Sequence, residues 1–123
     1  MISFELFRME DGSPIYLQIL LYIKRGMVAG IIHDGDELPS RRMLSALLSI
    51  NPNTVQKAYR MLEEEGLIQS HSGAKSYVVV NKEKIQQIRS ELLEHDARMS
   101  VSVLKQMGMT REEALALITK YWE

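Results

Sequence analysis

Apolar residues recur every three or four positions in several stretches of the chain, as they do along one face of an α-helix. The first stretch begins after Pro14 and ends near Gly30; its apolar stripe consists of Tyr16, Ile19, Leu20, Ile23 and Met27. A second, short helix is predicted after Ser40, which suits the N-cap position, and its inward residues are Leu44, Leu47 and Leu48. Between the two helices, the turn-forming pair Asp34-Gly35 marks "IIHDGDELP" as a loop.

A third helix is predicted within "NPNTVQKAYRMLEEEGL", residues 51–67. Asn51 suits the N-cap, Pro52 suits the first helical position, where a missing N–H costs nothing, and Gly66 ends the helix. At about 100° per residue, the apolar side chains share one face: Val55, Ala58, Tyr59 and Leu62. The opposite face is polar and consists of Asn53, Gln56, Lys57 and Arg60.

Two runs rich in β-branched and aromatic residues follow the third helix. These runs, "LIQS" and "KSYVVVN", are joined by the short segment "HSGA", which predicts a β-hairpin. Three helices followed by a hairpin is the element order of a winged helix-turn-helix, in which the hairpin is the wing. We therefore predict a mainly α-helical fold with a small β-hairpin, and we assign residues 1–80 to this domain.

Residues 81–123 are predicted to form a two-helix tail. Gly108 separates the helices, and Thr110 and Glu113 have the spacing of a capping box at the start of the second. Two helices alone cannot bury all the apolar residues of this segment, so we expect them to pack on the first domain or on a second chain. The predicted dimer interface comprises Ile85, Ile88, Leu92, Met99, Leu115, Ile118 and Trp122.

Composition restricts the class of protein. The 123 residues include no cysteine, which excludes disulfides, thiolate metal sites and cysteine nucleophiles. No apolar run reaches the roughly 18 residues of a membrane span, and the N-terminus does not resemble a signal peptide, so we expect a cytoplasmic protein with no membrane partner. The formal net charge is −1, yet residues 38–62 carry four basic residues and no acidic one. On charge alone, that window could be a chance gap in a mixed surface.

The acid-free window contains the features that a DNA-reading helix needs. Asn and Gln side chains pair with adenine, and Arg and Lys side chains reach guanine or phosphate. The preceding helix starts with Ser40, Arg41 and Arg42, and a helix N-terminus beside two guanidiniums is suited to a DNA phosphate. Arg41 is equally consistent with plain solvated surface. We predict double-stranded DNA as the partner.

Four segments in order carry a resemblance to a known family: "PIYLQI" (14–19), "LPSRRMLSALL" (38–48), "NPNTVQKAYRMLEEEGLI" (51–68) and "SGAKSYVV" (72–79). Together they resemble the DNA-binding domain of GntR-family transcriptional regulators. The short tail resembles the YtrA-type subfamily, whose members end in two dimerising helices. The resemblance implies DNA contacts at Ser40, Arg42, Asn53, Thr54, Gln56, Lys57 and Gly73.

The wing departs from the family pattern. The family usually has Gly-x-Gly-Thr-Phe-Val here, whereas this chain has "GAKSYV" at residues 73–78, with Lys75 in place of the second glycine. A side chain at this position departs from the close backbone approach to the minor groove that the resemblance implies. We expect Lys75 to compensate by contacting phosphate.

Other functions have less support in the sequence. The three histidines are scattered, and Glu91 with His95 is one weak pair, so we expect neither a metal nor another cofactor. Trp122 is better explained by core or dimer packing than by an effector pocket. No phosphate loop or paired acids near a nucleophile indicate an enzyme. The remaining alternative is a winged helix that binds another protein and not DNA.

The sequence therefore predicts a sequence-specific transcriptional regulator, a repressor rather than an activator, that binds a palindromic operator as a homodimer. It leaves open whether an unidentified small-molecule effector controls that binding.

Overall fold

The computed structural model of the protein describes residues 1–71 and 75–123. Its elements in chain order are α1 (Ile15–Val28), β1 (Glu37–Leu38), α2 (Arg41–Leu48), α3 (Pro52–Glu64), β2 (Ile68–His71), β3 (Lys75–Val78), α4 (Lys82–Gln106) and α5 (Arg111–Tyr121). The chain divides into two compact units, Met1–Arg89 and Ser90–Glu123. The predicted fold class is confirmed: the protein is mainly helical, with a small antiparallel sheet.

The core of the first unit forms where α1 and α2 pack against α3. The predicted stripe of α1 supplies Ile19, Ile23 and Met27, each at most 1% exposed, while Tyr16 is half-buried. Side chains of α2, α3 and the sheet complete this core, namely Leu38, Leu44, Val55, Tyr59, Leu62 and Val78. The apolar periodicity of the sequence is thus realised as one hydrophobic core under the three helices.

The sheet has three strands in the order β1-β3-β2, so the predicted hairpin was incomplete. The segment predicted as a loop contains β1, whose Glu37 and Leu38 pair with Tyr77 and Ser76 of β3. Two residues are too few for an alternating pattern to be visible in the sequence. This strand exists because β3 offers a free edge and because burial of Leu38, which is 1% exposed, stabilises the pairing.

The prediction that Leu47 of α2 points inward is wrong. Leu44 is fully buried, but Leu47 is 63% exposed, and Leu48 is half-buried. The inner face of this eight-residue helix includes Ser45, which is buried and donates a 2.6 Å hydrogen bond to the carbonyl oxygen of Ile50. Leu47 lies about 160° around the helix from Ser45 and therefore faces outward.

The first ten residues belong to the first unit, as assigned, but the sequence pattern did not indicate how they pack. The rings of Phe4 and Phe7 lie 4.9 and 5.3 Å from the Tyr22 ring, centroid to centroid. The Tyr22 hydroxyl donates a 2.8 Å hydrogen bond to the carbonyl oxygen of Ser3. The backbone N–H of Ile2 donates to the carbonyl oxygen of Glu37. These contacts hold the N-terminal segment against α1 and the start of β1.

The first unit continues beyond the predicted domain end at residue 80 and includes the first two turns of α4. The Lys84 ammonium donates a 2.7 Å hydrogen bond to the carbonyl oxygen of Gly66, just after α3. Ile88 is 6% exposed. Because Ile88 is already buried within a single chain, little of it remains available to a second chain.

The second unit consists of the remainder of α4 and the whole of α5. The predicted capping box is confirmed: the Thr110 hydroxyl accepts from the N–H of Glu113, and the Glu113 carboxylate accepts from the N–H of Thr110. The backbone N–H of Thr110 and, after it, the Thr110 hydroxyl hold the pKa of the Glu113 carboxyl below its usual range. Among the described residues, no helix is long and apolar enough to cross a membrane.

Candidate nucleic-acid interface

The N-terminus of α3 presents short polar side chains. The Asn51 side-chain oxygen accepts a 2.8 Å hydrogen bond from the N–H of Asn53 and so caps the helix, as predicted. Pro52 occupies the first helical position. Beyond this cap, the side chains of Asn53, Gln56, Lys57 and Arg60 are all exposed, and Thr54 is half-buried. The predicted polar face therefore forms one solvent-facing row.

The opposite face of α3 is fully buried. Val55, Ala58, Tyr59 and Leu62 are all 0% exposed. The Tyr59 hydroxyl donates a 2.7 Å hydrogen bond to the carbonyl oxygen of Pro39, immediately before the N-cap of α2. Buried hydroxyl groups in proteins are generally hydrogen-bonded. This bond connects α3 to the start of α2. Burial raises the pKa of Tyr59 far above its usual value, although the nearby Arg41 charge opposes this effect.

The raised pKa predicts a loss of stability in alkaline solution. Neutral Tyr59 is favoured in the folded state, whereas the unfolded chain ionises above a pH of about 10. Below that pH, Tyr59 is neutral in both states, and its full contribution to the free energy of unfolding is present. It should fall at higher pH by up to about 1.4 kcal/mol per pH unit. Urea unfolding between pH 9 and 11.5 measures the fall, and Tyr59→Phe should lack this component. Identical pH profiles for the two proteins would refute it.

The two arginines at the start of α2 differ in direction. The Ser40 hydroxyl caps the helix by accepting a 3.1 Å hydrogen bond from the N–H of Met43. Arg42 is exposed beside this cap. Arg41 is half-buried, and its guanidinium lies between the sheet and the Tyr59 ring, 5.1 Å from the ring centroid. Of the two, Arg42 is the more exposed, whereas the Arg41 guanidinium is directed at the sheet.

Two cations on the outer face of α3 already have partners within the protein. The Lys57 ammonium lies 4.0 Å from the centroid of the Tyr16 ring on α1, a cation–π contact. The Arg60 Nε lies 4.0 Å from a carboxylate oxygen of Glu64. Sequence reasoning assigned Tyr16 to the core and missed this contact with Lys57. Both side chains remain exposed, so their charged groups can still reach a DNA phosphate.

The wing is described in part. Lys75 is exposed at the start of β3, directly opposite His71 in the strand register. The His71 ring contacts the Tyr77 ring at 5.2 Å between centroids. Gly73, which the resemblance implies as a DNA contact, lies outside the described residues. Of the two wing residues predicted to contact DNA, Lys75 is therefore the one that the structure places, at the start of β3.

The predicted dimer residues have very different exposures. Ile88 is buried, and Ile85 and Leu92 are half-buried. Four others are exposed by 46 to 82%: Met99, Leu115, Ile118 and Trp122. Between α4 and α5, within the second unit, lies an open groove of about 470 Å³ whose lining includes Leu104, Leu115 and Ile118. The exposed apolar surface of this unit lies along the groove and α5, and also on α4 outside the groove, at Leu93, Met99, Val103 and Met107.

Within residues 1–71 and 75–123, no group of three or more His, Cys, Asp or Glu side chains is placed to hold a metal ion. The absence of a bound metal therefore stays a prediction for the protein.

Comparison with known proteins identifies the family. Residues 15–78 match the family model described as bacterial regulatory proteins, gntR family. The chain is 39% identical over 98 residues to the HTH-type transcriptional repressor YtrA of Bacillus subtilis, covering 80% of this chain and 71% of that protein. It is 30% identical over 114 residues to YhcF, an uncharacterized HTH-type transcriptional regulator of the same species, covering 93% and 94% of the two chains.

The structural similarity includes the tail. The solved structure of a GntR family transcriptional regulator from Listeria monocytogenes covers 91% of this chain and 98% of its own, with a TM-score of 0.77 and 33% identity. The relatives are named as transcriptional regulators, which confirms the prediction of a regulator rather than an enzyme. A family match over more than half of the chain and an alignment with YhcF along nearly its whole length show that the chain belongs to the gntR family of bacterial regulatory proteins, as a DNA-binding transcriptional regulator similar to YtrA.

Proposed function

We propose that the protein is a homodimeric transcriptional repressor that binds a two-fold-symmetric operator, with one α3 in the major groove of each half-site. The observation that carries this proposal is the exposed polar row of α3, backed by a face that is fully buried. A helix reads base edges reproducibly only if its own position is fixed by packing. The repressor role is supported by similarity to YtrA, which is named a transcriptional repressor. A repressor of this kind acts in the cytoplasm, where the chromosome lies.

Each residue of the proposed interface has a chemical role. Asn53 and Gln56 carry amides that can pair with both N6 and N7 of adenine. Arg42 and the N-terminal N–H groups of α2 are suited to one phosphate beside the groove. Ser40, Thr54, Lys57, Arg60 and Lys75 would add contacts to phosphate and sugar at the edges of the interface.

We propose that the second unit forms the dimer interface. A single winged helix covers too few base pairs for tight specific binding, and a two-fold operator requires a two-fold protein. Residues 82–123 contain seven basic and seven acidic residues, so their net charge does not favour DNA. The exposed side chains along the groove between α4 and α5 offer apolar surface that a second copy would cover.

Selection of bound sites from a pool of random duplexes tests the proposal. The full-length protein should enrich a palindrome whose half-sites lie about one helical turn apart. Enrichment without two-fold symmetry would contradict the dimeric arrangement. Failure to enrich any sequence would favour the alternative of a winged helix that binds another protein.

Arg42→Ala should weaken binding to all duplexes by a similar factor, because a phosphate contact carries no sequence information. The plot of log affinity against log salt concentration should become shallower by about one unit per subunit. Fluorescence anisotropy at several salt concentrations measures both effects. Arg89→Ala, which removes the same charge from an exposed position on α4, is the matched control. A loss confined to the selected operator would show that Arg42 reads bases.

A further inference from the structure

Arg41 carries a positive charge that faces the protein. Its two terminal nitrogens approach the hydroxyl oxygens of Ser76 and Ser70 at 3.4 and 3.5 Å. Its Nε is buried and has no hydrogen-bond partner among the described residues. The buried Nε has lost its hydration without gaining a hydrogen bond, while the terminal nitrogens of this half-buried side chain are directed at the sheet.

The strand side of this contact is a pair of serines in register. Ser70 of β2 lies directly opposite Ser76 of β3, and their hydroxyl oxygens are 3.2 Å apart. Two residues further along the strand pair, the same face carries the buried apolar pair Ile68 and Val78. The inner face of the hairpin therefore changes from apolar to hydroxyl where Arg41 meets it. Ser76 is 2% exposed, so water cannot readily take the place of the guanidinium.

The helix side of the contact is equally specific. The Arg41 guanidinium lies 5.1 Å from the centroid of the Tyr59 ring, whose hydroxyl is bound to Pro39. The N–H of Ser70 also donates to the Glu63 carboxylate at 3.3 Å, near the C-terminus of α3. Arg41 thus joins three elements at one point: the start of α2, the centre of α3, and the hairpin of β2 and β3.

We propose that Arg41 is a positioning residue, which holds the hairpin of the wing at a set orientation to α3, and that it is not a phosphate ligand. This inference rests on the proposed operator binding. Lys75 immediately precedes Ser76 on β3, so the orientation that Arg41 imposes on Ser76 also sets where Lys75 meets the DNA. Under this proposal, Arg41 acts on DNA binding indirectly and not through the direct contact predicted from the sequence.

The proposal separates Arg41 from Arg42 by salt dependence. Full-length wild type, Arg41→Gln and Arg42→Gln are titrated with the selected operator at several salt concentrations. Arg41→Gln should weaken binding about tenfold, in the range expected of a side-chain network, with the salt slope unchanged. Arg42→Gln should lower the slope by about one unit per subunit. A similar fall in slope for Arg41→Gln would show that Arg41 reaches phosphate and would overturn the proposal.

Arg41→Lys is the second variant, since it retains the charge but cannot bridge both serine hydroxyls. If Arg41 positions the wing, the lysine variant should bind as weakly as Arg41→Gln. If Arg41 contacts phosphate, lysine should restore both affinity and salt slope. Urea unfolding of each variant defines the conditions in which it is folded, and binding is compared only there.

A double-mutant cycle tests the link to the sheet. Ser76→Ala should itself weaken operator binding, and the double variant with Arg41→Gln should bind no more weakly than the weaker single variant. Additive losses would overturn the proposal. Hydroxyl-radical footprints add an independent readout: Arg41→Gln should lose protection at the outer, wing-contacted positions and keep it at the centres of the half-sites. If the wild-type protein prefers no duplex at all, the proposed function fails instead, and that result is distinct from every outcome for the variants.

Discussion

Ile118→Glu should convert the protein from a dimer to a monomer. Ile118 is 46% exposed in the single chain and borders the groove between α4 and α5, within the second unit. In the proposed dimer, the new carboxylate would be buried without a partner. That burial costs several kcal/mol, which raises the dimer dissociation constant by more than about 100-fold. Sedimentation of wild type and variant measures the change.

Operator affinity should fall with the dimer, because a monomer contacts only one half-site. Ala116→Glu is the matched control: it introduces the same charge at an exposed position of α5, about 160° around the helix from Ile118. This control should remain a dimer and bind normally. A wild-type protein that sediments as a monomer, or an Ile118→Glu protein that remains a dimer, would contradict the proposed interface.

Gln56→Ala should abolish base preference at one position of each half-site. A well-placed side-chain–base pair contributes about 1–3 kcal/mol of discrimination, and a two-fold operator contains that pair twice. The difference in binding free energy between the selected operator and a duplex with both base pairs changed should therefore shrink by about 2–6 kcal/mol. Competition titrations between the two duplexes measure this difference.

Non-specific binding should be nearly unaffected by Gln56→Ala, because the amide carries no charge. Gln69→Ala is a suitable control, since it removes the same side chain from an exposed position on β2. An unchanged base preference in Gln56→Ala would place Gln56 outside the major groove and would require a different register of α3 on the DNA.

Features determined by neighbouring residues were predictable from the sequence. The caps at Ser40, Asn51 and Thr110 are confirmed because each depends on an atom two or three residues away. The buried face of α3 is confirmed because a helical repeat places its members together. For the same reason, the exposed row from Asn53 to Arg60 could be recognised before the structure was known.

Features determined by distant residues were not predictable. The strand β1 depends on β3, which lies about forty residues later. The direction of Arg41 depends on Ser70 and Ser76, which are 29 and 35 positions away. Similarly, the Lys57 ammonium meets the Tyr16 ring only because α1 packs against α3. Sequence periodicity identifies which face of a helix is buried, but it does not determine which way a long side chain turns at the edge of that face.

Directed cleavage of the operator tests the central claim most directly. Because the chain has no cysteine, Arg60→Cys creates a single site for an iron chelate on the outer face of α3. We predict two clusters of cleavage within the selected operator, related by its two-fold axis and separated by about one helical turn. The same chelate on Ser102→Cys, an exposed position of the second unit, controls for cleavage by a reagent that is not on α3. A single cluster, or equal cleavage along every duplex, would contradict a dimer that reads a palindrome through α3.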